Sequence, residues 1–282
     1  MYPETPLVSV IIPTYRRPDF LDEAIESVVR QNIDALECLV IDDRSPTPVA
    51  VNRNDHLRVR VIRHSRNLGP GGARNTGLAH AMGEFVMFLD DDDQLVEGRI
   101  RKGVDEIGSH RMHACAARFG QKVSKRTFEG DMRATLLHEM PPSLSQVLFR
   151  REDCLQFDSS LRVSEDVEWW LRMSDRADFA WDPEVGLQVR LHDEVRSGVT
   201  DELRWQCRQR ISMTYRQNPA KDRATSAFLE QRAASAALLA GHRFQATKHA
   251  VRAFATHPNR RAARVAGAAV FTAKKWQRTN IS

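Results

Sequence analysis

The stretch GEFVMFLDDDDQL, residues 83–95, joins an apolar run directly to four consecutive aspartates. Its apolar part, residues 84–89, predicts a buried β-strand, and residues 90–93 follow without an intervening turn signal. Four adjacent carboxylates repel one another, and burying them unpaired is costly. A divalent cation, Mg²⁺ or Mn²⁺, relieves that repulsion because both ions prefer oxygen ligands. The alternative is a solvated acidic loop, but the position at a strand end favours a metal site.

Three more apolar runs precede this strand and predict strands at residues 7–12, 37–41 and 57–62. Apolar residues at helical spacing separate the first two runs, and a glycine-rich turn at residues 69–72 leads into a predicted helix over residues 73–82. Each strand is a nearly continuous apolar run. This alternation predicts an α/β fold with a mainly parallel central sheet flanked by helices.

Polar residues follow three of the predicted strands, where ligands bind in sheets of this kind. They are Thr14, Tyr15 and Arg16 after the first strand, Asp42 and Asp43 after the second, and the four aspartates after the fourth. A carboxylate after the second strand can accept a hydrogen bond from a base N–H or a sugar hydroxyl. The alternative is a helix cap or an Asx-turn before the next proline.

The segment NLGPGGARNTG, residues 67–77, is rich in glycine and contains Arg74. Its backbone N–H groups and the guanidinium can hold phosphate oxygens, although an ordinary turn before a helix would look the same. The segment matches neither GxGxxG after the first strand nor GxxxxGK[ST]. The pattern therefore supports neither a dinucleotide-binding fold nor a P-loop.

Two acidic residues, Glu165 and Asp166, precede an apolar helix that contains Trp169 and Trp170. A carboxylate in this position can act as a general base toward a hydroxyl. On sequence alone, capping of the helix N-terminus is the favoured reading. His192 follows a predicted strand at residues 185–191, and it is either a metal ligand or a surface histidine.

Charge is distributed unevenly along the 282 residues, whose formal net charge is +5. None of the 37 acidic residues follows Glu230, whereas ten of the 42 basic residues do, so residues 1–230 carry a net charge of −5. We expect an α/β domain over residues 1–200 and a helical basic region over residues 201–282. The basic tail, residues 231–282, predicts an anionic partner such as a membrane surface or a lipid pyrophosphate, unless it is simply a solvated helical face. Nucleic acid is disfavoured because no aromatic platform interleaves the charges.

The four cysteines are scattered, with no CxxC pair, which argues against disulfides and zinc and favours a reducing cytoplasm. No apolar run reaches the roughly 20 residues of a membrane-spanning helix. The first residues lack the basic region and the cleavage site of a signal peptide. We therefore expect a cytoplasmic protein, peripheral at the inner face of the membrane if the basic tail binds there.

Taken in order, several of these motifs resemble glycosyltransferase family 2, the inverting enzymes of GT-A fold. The resemblance covers roughly residues 8–197 and is carried by VSVIIPTYRR, AIESVVRQ, ECLVIDDRS, NLGPGGARNTGL, GEFVMFLDDDDQL, LFRRE, SEDVEWWLR and His192. It implies that residues 1–200 form a catalytic domain. That domain would bind a nucleotide sugar, with a UDP-sugar favoured, together with Mn²⁺ or Mg²⁺.

The resemblance also implies roles for individual residues. Those implied to bind the nucleotide sugar are Pro13, Thr14, Tyr15, Asp43, Arg74, Asp90 and Asp91. Among them, Asp43 would hold the uracil N–H and Arg74 would lie near the diphosphate. Asp166 would be the catalytic base, preceded by Glu165, and Asp92 and His192 would bind the metal. The Asp-x-Asp motif fits the four consecutive aspartates in two registers, one position apart.

The implied reaction is a single displacement in which Asp166 deprotonates an acceptor hydroxyl and the anomeric configuration inverts. Processive members carry membrane spans and a Gln-x-x-Arg-Trp motif. This chain has DELRW at residues 201–205, with aspartate in place of glutamine. We therefore expect transfer of one or a few sugars to a glycan or lipid-linked acceptor in cell-envelope polysaccharide or glycolipid biosynthesis.

Two other functions compete with this reading. A sugar-phosphate nucleotidyltransferase also uses acidic metal ligands on an α/β sheet, but it should carry a glycine-rich signature after the first strand, where this chain has PTYRRPD at residues 13–19. The second is a non-catalytic interaction protein on the same scaffold. The intact aspartates and the pair Glu165 and Asp166 argue against that loss of activity.

Overall fold

The computed structural model describes residues 5–31, 33–51, 58–124, 127–128, 141–174, 176, 178–191, 199–217 and 223–258. These residues fall into two compact units. The first lies within Met1–Thr135, Met140–Leu161 and Glu165–Asp193, and the second within Leu136–Glu139, Arg162–Ser164 and Glu194–Ser282. All strands of the described residues belong to the first unit.

The first unit contains nine strands and four α-helices among its described residues. The strands are β1 Val8–Thr14, β2 Leu36–Asp42, β3 Arg58–Arg63, β4 Phe85–Phe88, β5 Gln94–Leu95, β6 Met112–Phe119, β7 Lys122–Val123, β8 Val147–Arg150 and β9 Phe179–Val189. The helices are α1 Pro18–Val29, α2 Gly69–His80, α3 Arg99–Glu106 and α4 Glu165–Met173. Short 3₁₀ turns lie at Leu144–Gln146 and Arg151–Asp153.

The strands form one sheet in the order β3-β2-β1-β4-β8-β6-β9-β5, with β7 paired to β6. The four strands β3, β2, β1 and β4 are parallel, as predicted. Thr14 pairs with Asp42 across β1 and β2, so the polar residues that follow these strands share one edge of the sheet. This edge carries the candidate site.

The other half of the sheet is mixed, a detail that the alternating pattern did not predict. Strand β8 runs antiparallel to β4 and to β6, whereas β9 is parallel to β6. A capping box leads the chain into β8: the Ser145 N–H donates to Ser143 Oγ, and the Ser143 N–H donates to Gln146 Oε1. This turn lies directly before β8 in the chain.

Helix α2 begins at Gly69, so residues 69–72, predicted as a turn, form its first turn instead. The reason for the glycines lies partly in packing. A Cβ on Gly77 would lie 2.3 Å from a methyl carbon of Ile11 in β1, so α2 can approach the sheet this closely only with glycine there. The pattern marked the glycines correctly but not their place inside a helix.

An aromatic cluster anchors α4 to the sheet. Its members are Phe88, Phe149, Phe157, Trp169 and Trp170, with neighbouring ring centroids 5.0–6.4 Å apart. The Trp169 indole N–H donates to the Leu155 carbonyl at 2.7 Å, so the polar group of this buried side chain has a hydrogen-bond partner. The cluster fixes the start of α4, where Glu165 and Asp166 lie.

The second unit is helical in its described part, with α5 Asp201–Gln217, α6 Arg223–Leu239 and α7 Arg243–Thr256. Trp205 and alanines of α6 and α7 form its apolar core, and buried Glu230 receives hydrogen bonds from His249 Nδ1 and Ser212 Oγ. No helix in the described ranges is long and apolar enough to cross a bilayer. The part of the predicted helical region beyond residue 258 lies outside these ranges.

Candidate functional site

The four aspartates form a turn directly after β4. The Asp93 N–H donates to the Asp90 carbonyl at 3.1 Å, and the Leu89 N–H donates to the Ile11 carbonyl of β1 at 2.9 Å. The turn is thus held against the neighbouring strand.

Three carboxylates of this turn converge. Asp90, Asp92 and Asp93 each present an oxygen, and these oxygens lie within 4.8 Å of one another. We call this group the three-carboxylate cluster. Oxygen ligands at such spacing suit Mg²⁺ or Mn²⁺, which take carboxylates together with phosphate oxygens. The cluster adds Asp93, to which the motif alone assigned no role, and His192 lies outside the described residues.

Asp91 turns away from the cluster toward β1. Its carboxylate accepts a hydrogen bond from the Thr14 hydroxyl at 2.7 Å, which ties the turn to the end of β1. Burial raises the pKa of Asp91 to about 6, with the Asp92 and Asp90 charges acting in the same direction against the Thr14 hydrogen bond and Arg17. Asp91 therefore acts here as a link between strands.

Asp93 is a buried carboxyl of the turn. Burial raises its pKa to about 8, and the negative charges of Asp90 and Asp92 add to that rise. The Arg190 backbone N–H donates to Asp93 at 3.3 Å and only partly opposes the shift. A bound cation would stabilise these closely spaced, partly buried carboxylates by offsetting their mutual repulsion.

Arg17 belongs to the site, although the sequence motifs alone gave it no role. Its guanidinium forms an ion pair with Asp92 and lies 3.4 Å from an Asp91 oxygen, while 24% of its side chain remains exposed. Arg17 is the residue directly before α1, three positions after Thr14 at the end of β1. The adjacent arginines of PTYRR were the available signal, but spacing could not show which one turns inward.

Arg74 lies buried between two carboxylates. Its Nη1 donates to Glu165 and its Nη2 to Asp90, each at 2.8 Å, and we call this contact the Arg74 bridge. Burial alone would lower the pKa of Arg74, but Asp90 and Glu165 outweigh it and raise that pKa. For Glu165 the effect of burial has the opposite sign: it raises the pKa of this carboxyl, and the positive charge of Arg74 opposes that rise. Arg74, predicted near the diphosphate, thus binds carboxylates on two sides.

Asp166 follows Glu165 in the first turn of α4 and is half-buried. Within the described residues no hydrogen bond or ion pair holds its carboxylate. A carboxylate with this freedom at a sheet edge can accept a proton from a ligand hydroxyl. The structure therefore separates the two acids: Glu165 is tied to Arg74, and Asp166 is available.

Asp43 receives the first free N–H groups at the N-terminus of α2. Its carboxylate accepts from the Leu68 N–H at 2.7 Å, the Gly69 N–H at 2.8 Å and His64 Nδ1 at 2.8 Å. A carboxylate offers about four acceptor positions, so one remains for a ligand. The neighbouring Asp42 accepts from the Ser45 N–H, three residues further on, at 2.7 Å and pairs with Arg63. Asp42 thus stabilises the local turn before Pro46, and Asp43 caps a helix that is distant in the sequence.

Replacing Asp43 by alanine is expected to lower the free energy of unfolding by about 2 kcal/mol, because α2 loses its cap and two N–H donors lose their acceptor. Urea denaturation without nucleotide would measure this change. The exposed Asp34, changed to alanine, is the matched control and should leave stability unaltered. Equal stability of the two variants would contradict the capping role.

Pro13, Thr14 and Tyr15 lie at the carboxyl end of β1, beside the turn that carries the aspartates. Pro13 and Tyr15 are half-buried, and the Arg16 guanidinium lies 5.0 Å from the centre of the Tyr15 ring. The structure thus brings the predicted residues of three strand ends to one edge. It places no ligand role on Pro13 or Tyr15 by itself.

Known proteins resemble this chain in sequence. It is 32% identical to the succinoglycan biosynthesis protein ExoO of Rhizobium meliloti, over 58% of this chain and 54% of that protein. It is 40% identical to a GalNAc(5)-diNAcBac-PP-undecaprenol beta-1,3-glucosyltransferase of Campylobacter jejuni, over 34% of this chain and 32% of that protein. The chain spans 30–54% of the lengths of the first curated relatives that it matches.

A solved structure resembles the whole fold. Staphylococcus aureus TarS in complex with UDP-GlcNAc matches with a TM-score of 0.63 and 19% identity, covering 90% of this chain and 82% of that one. At this identity the likeness establishes the fold alone. The predicted α/β fold of GT-A type is confirmed.

The sequence model of the family described as Glycosyl transferase family 2 matches residues 9–163, more than half of the chain. The match includes β1, the Gly-rich start of α2 and the aspartate turn. Most of the motifs quoted above lie within the matched residues, whereas SEDVEWWLR and His192 lie beyond them. The chain therefore belongs to glycosyl transferase family 2.

Proposed function

We propose that the chain transfers a sugar from a nucleotide diphosphate donor, a UDP-sugar, to an acceptor hydroxyl with inversion at the anomeric carbon. The observation that carries this proposal is the Arg74 bridge. It ties Asp90 of the three-carboxylate cluster to Glu165, the neighbour of Asp166. A cation site and an available carboxylate are thereby held together, and a transferase of this type uses both.

Asp90, Asp92 and Asp93 would hold Mn²⁺ or Mg²⁺, because their oxygens converge and no softer ligand is needed. When bound, the ion neutralises the charge that develops on the leaving diphosphate. Arg17 contributes a further positive charge to the same turn through Asp92. His192 stays a proposed additional ligand.

Asp166 would accept the proton of the acceptor hydroxyl as its oxygen attacks the anomeric carbon opposite the leaving group. Glu165 would not share this task, because its oxygen is engaged by Arg74 at 2.8 Å. Arg74 would keep Glu165 in place and hold the turn through Asp90. We propose that the single displacement proceeds without a covalent intermediate on the protein.

Asp43, Thr14 and the end of β1 would receive the nucleotide. The acceptor position left on the Asp43 carboxylate fits one N–H of uracil. Tyr15 and Pro13 would line the base, and Asp90 and Asp91 the ribose side. The complex of TarS with UDP-GlcNAc supports a UDP-sugar as donor.

The names of two relatives support the acceptor class, since one acts in succinoglycan biosynthesis and the other on a sugar linked to undecaprenol pyrophosphate. We propose a glycan or lipid-linked acceptor in polysaccharide or glycolipid biosynthesis. Transfer would be non-processive, with residues 1–200 as the catalytic domain and residues 201–282 as an appended region. The reaction would take place at the cytoplasmic face of the membrane.

The experiment is Mn²⁺-dependent release of UDP from a panel of UDP-sugars, with donor binding followed by thermal shift. Asp92→Asn is expected to raise the Mn²⁺ concentration for half-maximal release by about 100-fold, because the cluster loses a charged ligand. Asp105→Asn, on the exposed side of α3, is the control and should behave as wild type.

Two outcomes would overturn the proposal. The first is a wild type that binds no nucleotide sugar in the presence of Mn²⁺ or Mg²⁺, as expected of an interaction protein. The second is production of pyrophosphate from a nucleoside triphosphate and a sugar 1-phosphate, which would identify a nucleotidyltransferase.

A further inference from the structure

We propose that one face of α7 lies on an anionic lipid surface through three apolar side chains and the cations beside them. The α7 outer face consists of Phe244, Val251 and Phe254, flanked by Arg243, Lys248 and Arg252. The proposed lipid-binding part of the basic tail is thus one defined face of α7. It does not depend on the proposed transferase reaction.

Three large apolar side chains of α7 are exposed: Phe244 by 79%, Val251 by 57% and Phe254 by 46%. At 100° per residue, Val251 and Phe254 lie within about 80° of Phe244 around the helix axis, on one side. Soluble helices rarely expose two phenylalanines and a valine on a single face, and such a face is typical of an interaction surface.

The opposite side of α7 faces the core of its own unit. Ala246, His249, Ala250 and Ala253 are buried there, and His249 Nδ1 donates to Glu230. The packing of these residues fixes the rotation of the helix about its axis. The apolar outer face is therefore a stable feature of the second unit.

Cations flank this face, with Arg243 on one side and Lys248 and Arg252 on the other at the same helical spacing. A helix with an apolar centre and Lys or Arg at its borders suits the lipid interface, where long cationic side chains reach the headgroups. The helix itself contains no acidic residue, and the nearby Glu202 pairs with His242. Anionic headgroups are thus the complementary partner.

A second copy of the chain is a poorer partner for the same surface. A two-fold contact would place α7 against α7, with the same cations on both sides. Like charges would then repel across a contact that holds no carboxylate of α7 or of the tail. The charge pattern therefore favours a lipid surface over self-association.

The test is sedimentation of the full chain with vesicles of phosphatidylcholine, with and without phosphatidylglycerol, at low and high salt. The wild type is expected to bind the anionic vesicles, and high salt should weaken that binding. The variant Phe244→Ser/Phe254→Ser is expected to bind at least about tenfold more weakly, because it lacks the two aromatic rings that the wild type would transfer from water into the lipid interface. Met82→Ser removes a 40% exposed apolar side chain elsewhere and should bind as wild type.

Charge reversal supplies an independent arm. Lys248→Glu is expected to weaken binding by at least about fivefold, whereas Lys122→Glu, at an exposed position of β7, should have no effect. All five substituted side chains of the α7 and control variants are exposed, and circular dichroism would verify that each variant is folded. Equal binding to neutral and anionic vesicles would overturn the proposal.

Three further results would also overturn it: wild-type binding by the double phenylalanine variant, no vesicle binding by the wild type, or a stable dimer that the double variant abolishes. Vesicle binding without donor turnover would contradict the proposed function alone. Turnover without vesicle binding would contradict this inference alone.

Discussion

Replacing Asp166 by asparagine is expected to lower kcat by roughly 10²–10⁴-fold, the usual contribution of a general base. The side chain keeps its size and its place at the start of α4, but it can no longer accept a proton. Because Asp166 makes no hydrogen bond or ion pair within the described part of the chain, folding and donor binding should change little. UDP release under saturating donor and acceptor measures kcat, and thermal shift measures donor binding.

The matched control for this experiment is Glu168→Gln, two residues further along α4. Glu168 pairs with Arg172 one turn away, at 2.6 Å from Arg172 Nε, whereas Arg74 donates to Glu165 and Asp90. Its loss should leave kcat near the wild-type value, since an exposed pair of this type contributes little. A kcat for Asp166→Asn close to that of Glu168→Gln would remove Asp166 from the mechanism.

The parallel half of the fold was readable from the sequence because each strand there is a nearly continuous apolar run. The predicted strand at residues 37–41 is β2, and the run before the aspartates is β4. The antiparallel direction of β8 was not readable, because it is defined by pairing with β4 and β6, which are distant in the sequence. The apolar residues of β8 alone do not show which strands it pairs with.

The candidate site was readable as a set of positions but not as a set of contacts. The motif placed Arg74 near the aspartates, yet only the fold reveals that Glu165, 91 residues further along the chain, shares its guanidinium. Likewise, four identical residues in a row hide the difference between Asp91, which bonds to Thr14, and its three neighbours. Contacts between distant segments depend on side-chain direction, which spacing does not encode.

Replacing Arg74 by methionine is expected to lower the free energy of unfolding by about 3–5 kcal/mol, the usual effect of removing one partner of a buried ion pair. Methionine fills most of the volume, so the loss comes from charge rather than from a cavity. Glu165 suffers most, because only 6% of its side chain is exposed, whereas Asp90 keeps 24% exposure. Urea denaturation in the presence of a chelator measures this effect without a contribution from bound cations.

The double variant Arg74→Met/Glu165→Gln separates charge from packing. Glutamine is neutral at the position of Glu165, so the buried negative charge that Arg74 had balanced is gone. The double variant should therefore recover a large part of the stability lost in Arg74→Met. Glu165→Gln alone should be less stable than the wild type, because Asp90 is then the remaining carboxylate of the bridge that balances the Arg74 charge. If the double variant were no more stable than Arg74→Met, the Arg74 bridge would not be an electrostatic contact. The turn at Asp90 would then depend on the packing of Arg74 rather than on its charge.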